Sequence, residues 1–266
     1  IGLIEIPEGI ETIKCNAFEN CCDIESVVIP SSVKKIEENA FKGCINLKTI
    51  SIPDSVNIIP AGCFNGCIEL TKVELPSTIT KISNDAFSNC CNLIDILISD
   101  VVTEIGSSAF HNCSNLCKIQ IPDSVIEIGP SAFEGCRSLE SINLSQKIKY
   151  INCNTFRGCE LLNKIWIPKN VAIIGSEAFG GCENMSIVAI QSNHIKIDPT
   201  AFLQCSNISR LYLANNNPNV VISSFGDSVA IKIISPISDY DRIKSSASTS
   251  AEDLYKTHAT NLKYMA

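Results

Sequence analysis

The chain has 266 residues, 45% of them hydrophobic and 18% charged, with a formal net charge of −7 and a pI near 5.1. That composition supports a sizeable core and excludes global disorder. The acidic balance argues against a nucleic-acid binder or a protein that adheres to an anionic membrane, both of which need a basic face, and no run approaches the roughly 20 apolar residues of a membrane-crossing helix.

Aromatic residues make up only 6%, so the core is aliphatic. Its organisation is set by an internal repeat. Phe stands at positions 18, 41, 64, 87, 110, 133, 156, 179, 202 and 225, each step being 23 residues without insertion. Cys follows three residues after each of the first nine, from Cys21 to Cys205, and Ser228 takes the tenth place. Because the sequence opens inside a repeat, it reads as a fragment of a longer chain.

Residues 116 to 138 show one unit in order. Ile119 and Ile121 alternate with Lys118 and Gln120, the period of a half-buried strand. Pro122 ends that strand because it offers no N–H to a ladder. Residues 125 to 128 form a second short extended piece with two more inward side chains. Residues 131 to 134 are expected to make a single helical or 3₁₀ turn. Gly135 ends it, in a column that reads Asn20, Gly43, Gly66, Asn89, Asn112, Gly135, Gly158, Gly181, Gln204, residues that mostly tolerate a left-handed backbone. No unit can bury its apolar side alone, whereas stacked units cover one another.

Toward the C-terminus the pattern fades, and His194 and Asn217 stand where Val125 stands in its unit. Residues 229–236 read as a last edge strand and residues 245–250 as a small-residue linker. Ser250, with acidic residues just after it, reads as the start of a short helix. The expected organisation is a solenoid of about ten repeats over residues 1–225 and a capping segment over residues 226–266.

The residues Leu116, Ile119, Ile121, Pro122, Ser124, Val125, Ile128, Ala132, Phe133, Gly135 and Cys136 give a pattern that resembles the BspA-like class of leucine-rich repeats, over about residues 1 to 225. The resemblance implies a right-handed, curved solenoid with one parallel strand per repeat on its concave face, and short strands and turns elsewhere. It also implies the roles of that class, whose members are often cell-surface or secreted proteins of bacteria and protists involved in adhesion and host contact. It brings no catalytic residues.

The fifteen cysteines suggest chemistry, but nine fall in the repeat column, where they are expected to pack reduced, as small buried hydrophobes. Stacked neighbours point in parallel, a poor geometry for a disulfide. There is no paired C-x-x-C, and His111, His194 and His258 lie in no ligand cluster. No metal, cofactor or enzymatic activity is expected.

The outward strand positions carry more information. One column reads Glu5, Val28, Ser51, Glu74, Leu97, Gln120, Asn143, Trp166, Ala189, Tyr212, and Lys72, Lys118, Lys164 and Arg210 recur every second repeat in the next. Exposed aromatics flanked by cations are favoured binding anchors. The expected ligand site is therefore the concave face around Trp166, Tyr212, Lys164, Arg210, Lys118 and Gln120. The bland reading of the same residues is that lysines keep an open sheet soluble while Trp166 covers its neighbours' stems.

The expected function is non-enzymatic binding of a protein or glycan, at the cell surface or secreted, with no nucleic acid and no membrane insertion within this fragment. The alternative is an intracellular, cytoplasmic scaffold. The chain reads as a monomer, with end-to-end stacking through its open ends as a further option.

Overall fold

A computed structural model describes residues 2–214, 220, 225 and 231–234. The chain winds into a parallel β-solenoid with a 23-residue turn. Each coil contributes up to two short strands to two ladders. The first ladder begins at Leu3–Glu5 and continues through Ser26–Val28, Thr49–Ser51, Lys72–Glu74, Asp95–Ile96 and Lys118–Ile119, then through Lys164–Ile167, Ile187–Ile190, Arg210–Leu213 and Lys232–Ile234. The second runs from Thr12–Ile13 to Lys196–Ile197. Partners are one coil apart and parallel throughout, for instance Ile165 against Val188 and Ile174 against Ile197. The last step is one residue shorter, with Arg210 opposite Lys232. That strand lies within the edge strand expected at 229–236; the linker and the capping helix lie outside the described residues.

The period-2 alternation explains the core. In the unit 116–138, Leu116, Ile119, Ile121, Val125, Ile128, Ala132, Phe133 and Cys136 are all buried. Ten phenylalanines stack in a single column, with ring centroids 4.8 to 5.7 Å apart and planes within 20° of parallel. That spacing is close to the roughly 4.7–4.9 Å between neighbouring strands, so the rings follow the same stacking step as the backbone.

The turn at residues 131–134 is not the helix expected. Ser131 and Gly135 both have positive φ, 55° and 74°. The N–H groups of Ser131, Phe133 and Gly135 donate to carbonyls of the next coil, at Cys153, Thr155 and Arg157. Those of Glu134 and Cys136 close local turns onto Ser131 and Phe133. Alternate amides are thus committed to the neighbouring coil, and a left-handed residue at every fourth position stops a helical run. The expected left-handed column from Asn20 to Gln204 has positive φ at all nine positions. A second such column, at Asn16, Asn39, Gly62, Asp85, Ser108, Ser131, Asn154 and Glu177, was not foreseen, because half of its residues are neither Gly nor Asn.

The first ladder is broken between Lys72–Glu74 and Asp95–Ile96 and the second between Lys35–Ile36 and Ile58–Ile59, and both are broken again in one further coil. Residues 141–144 form no strand although Ile142 and Leu144 are buried, and Glu127–Ile128 does not pair with Tyr150–Ile151. There the Asn152 side-chain amide donates to the Ile128 carbonyl instead. The phenylalanine column passes this coil unbroken.

Candidate ligand-binding faces

The cysteine column has a more specific role than that of a small hydrophobe. From Cys44 to Cys205, eight ladder thiols each donate to the carbonyl of the phenylalanine one coil earlier, at 3.0 to 3.2 Å. Each of these carbonyls also accepts the backbone N–H of the cysteine three residues on, so the thiol fills its second acceptor position. Burial pushes the Cys44 thiol up to about 12 and the thiols of Cys67, Cys90, Cys113, Cys136, Cys159 and Cys182 well above the ordinary range. Such thiols are poor nucleophiles. All fifteen cysteines are free, and Cys15, Cys22 and Cys153 are exposed. Among the described residues no group of three His, Cys, Asp or Glu side chains could hold a metal ion, and no helix is long and apolar enough to cross a membrane.

On the outer face of the first ladder, the six expected site residues separate into two groups. Lys118 and Gln120 are exposed, and Lys164 and Arg210 are half-buried. Trp166 and Tyr212 are not exposed anchors: they are 5% and 2% accessible. They form a small apolar cluster with Ile187 and Ala189, separate from the main core, and Ile234 packs against it. Trp166, Ala189 and Tyr212 are consecutive partners across the sheet, so two large rings flank one small residue, and Ala189 is fully buried. Burial likewise raises the pKa of Tyr212. In the N-terminal coils the same outward column stays open, with Leu97 78% exposed.

The second ladder was not singled out from the sequence, yet it holds an aromatic that is exposed. Tyr150 is 51% accessible, beside Ile173 at 41% in strand register. The usable signal was its column, Thr12, Lys35, Ile58, Lys81, Glu104, Glu127, Tyr150, Ile173, Lys196, which points outward from the second strand just as the Trp166 column does from the first.

Charge is distributed unevenly along the rod. Lys14, Lys34, Lys35, Lys42, Lys48, Lys72 and Lys81 each lie within 3.6 Å of a carboxylate. Most of these pairs join residues one coil apart, such as Lys34 with Glu11 and Lys81 with Glu104. Glu37 is held below the usual carboxylate range by the Lys35 ammonium and by the Cys15 backbone N–H. These exposed pairs contribute little to stability, but they neutralise the groove that Lys35, Glu37, Pro60 and Lys81 line. Arg137 and Arg157 are paired with Glu160, Glu134 and Glu177.

Comparison with known proteins agrees with this architecture. Six copies of the BspA type leucine-rich repeat region match residues 2–117, 80–209 and 126–254. A leucine-rich repeat protein from Bacteroides ovatus is 27% identical with a TM-score of 0.72, over 88% of this chain and 69% of that one. The leucine-rich repeat protein of T. pallidum is 32% identical with a TM-score of 0.57, over 60% of this chain and 78% of that one. One from Eubacterium ventriosum is 19% identical with a TM-score of 0.52, over 88% of this chain and 72% of that one, and shares the fold. No curated protein is similar enough to match the chain. The coil length, the Phe and Cys columns and the matched repeats together place this chain in the BspA-type leucine-rich repeat family.

Proposed function

We propose that the chain is a non-enzymatic binding module whose ligand, a protein or a glycan, docks on the outer face of the first ladder. Lys118 and Gln120 make contact there. Lys164 and Arg210 add positive charge, and Trp166 and Tyr212 act from beneath as a rigid platform. The observation that carries this reading is the succession of cations along one face of an acidic protein, Lys72, Lys118, Lys164, Arg210 and Lys232. A pre-organised sheet loses little conformational entropy on binding, and a charged stripe speeds encounter with an anionic partner. Cell-surface adhesion is the setting that the family resemblance favours. The fifteen free cysteines favour the second reading, a scaffold in a reducing compartment.

The test is a binding screen against matrix proteins, sulfated and sialylated glycans and a lysate of the source cell. A Lys118→Glu/Lys164→Glu/Arg210→Glu variant runs alongside. Binding to an extracellular ligand that the variant loses supports the adhesion reading and the site. Binding that the variant keeps removes the site, and capture of a cytosolic protein alone shifts the function to the scaffold.

A further inference from the structure

The second ladder changes character along the rod. In the N-terminal coils each lysine beside this ladder meets a carboxylate, as in Lys34 with Glu11, Lys35 with Glu37 and Lys81 with Glu104. Three coils nearer the C-terminus carry Lys147, Lys149, Lys169 and Lys196, all exposed. Among the described residues none of the four makes a close ion pair, and only Lys196 has a nearby carboxylate whose pKa it lowers, that of Asp198. The sequence explains the difference. Lys149 occupies the column of Lys34, but its column neighbours are Ile126 and Ala172 where Lys34 has Glu11.

Exposed apolar side chains sit among these charges. Tyr150, Ile173 and Lys196 are successive partners across three strands. Tyr150 is 51%, Ile173 41% and Ile126 57% accessible. The patch thus sets four lysines, with Glu127 at its edge, around an apolar strip about two strand spacings, roughly 10 Å, long.

We infer that this face of the second ladder is a second docking surface, for an acidic protein segment that carries an apolar side chain. Two features select a protein over an anionic polymer. Branched aliphatic Ile126 and Ile173 suit a Leu or Phe side chain better than a sugar ring or a base. The cations are all lysines, point charges suited to carboxylates, whereas phosphate or sulfate recognition favours the bidentate fork of arginine. Ile173–Ile174, the central strand of the three, is already paired on both sides, so contact there is made through side chains and not by strand addition. The inference does not depend on the first-ladder site.

The experiment measures fluorescence anisotropy of a short labelled peptide alternating Glu with Leu. Controls are the same peptide with Gln for Glu, heparin and a single-stranded oligonucleotide. Expected are salt-sensitive binding of the acidic peptide, a loss of about tenfold or more in Lys149→Glu/Lys196→Glu, weakening in Tyr150→Ser, and unchanged affinity in Lys118→Glu on the other face. All four positions are exposed, and matching thermal melts show that the variants fold. Absence of peptide binding, equal binding of the Gln peptide, or no change in Lys149→Glu/Lys196→Glu overturns the inference. So does a loss confined to Lys118→Glu, which would put the peptide on the first ladder. Binding of heparin or the oligonucleotide in place of the peptide overturns the assignment to a protein segment.

Discussion

Replacing Phe133 by Ala is expected to show how strongly a coil depends on its two neighbours. Phe133 is fully buried, and its ring stacks at 5.4 Å on Phe110 and at 5.5 Å on Phe156. Truncation removes the transfer free energy of the ring and leaves a cavity between two coils that cannot collapse without breaking their inter-coil backbone bonds, a loss of about 3–5 kcal/mol. Phe18, in the first coil, is only partly buried and has one ring neighbour, Phe41. Phe18→Ala should therefore lose about half as much or less, on the order of 1–2 kcal/mol. For a protein of this size the larger loss lowers Tm by roughly 10 °C. Urea unfolding followed by far-UV circular dichroism measures both variants against the parent. Equal losses at the two positions would refute the reasoning, because they would show that the ring itself, and not its place between two rings, sets the contribution.

The lone Trp166 makes its burial directly readable: its fluorescence should be blue-shifted and poorly quenched by acrylamide, and emission typical of a solvated indole would reinstate it as an exposed anchor. The ladder thiols make stability pH-dependent in a known direction. The unfolded chain ionises its cysteines near the ordinary value of 9.0, while folded Cys44 holds its proton to about 12. The unfolded state then binds fewer protons, so stability is intact below about pH 9 and falls as pH rises toward 12. Urea midpoints between pH 8 and about 11 should show this decline, with a shallower slope in Cys44→Ala. Iodoacetamide on the native protein should modify Cys15, Cys22 and Cys153 and spare the ladder, as peptide mapping would report. Finally, a Cβ at Gly135 would lie 2.4 Å from the Asn112 side-chain oxygen, whereas one at Gly158 meets nothing closer than 3.8 Å, and both glycines have positive φ. Gly158→Ala should lose roughly 1–2 kcal/mol from the left-handed backbone alone. Gly135→Ala should lose more, with partial recovery when Asn112→Gly is added; equal losses in thermal melts would contradict the contact.

The solenoid was legible because its signals are periodic. The Phe, Cys and strand columns each repeat every 23 residues, and burial follows them residue by residue. The turn was misread because a Ser-Ala-Phe-Glu segment has no local feature that forbids a helix; the positive φ of Ser131 arises from bonds to the next coil. The candidate site was half legible. Position in a column tells which way a side chain points, so Lys118 and Gln120 are exposed as expected. It does not tell what lies beside it, and Trp166 next to Ala189 and Tyr212 becomes its own small core. The lysine patch near Tyr150 was missed because lysine counts look alike in every coil; what differs is the side chain one coil away.

Nearly all cohesion in this protein joins residues one coil apart: strand partners, ring stacks and most charge pairs differ by 23 in sequence, and thiol donors by 26. A duplication or excision of one whole coil would therefore leave the Phe, Cys and aliphatic core columns with partners of the same kind, whereas an insertion of any other length would throw all columns beyond it out of phase. The rod is free to vary in length in whole coils, and with it the number of cations or side-chain anchors offered to a partner, without redesign of its interior.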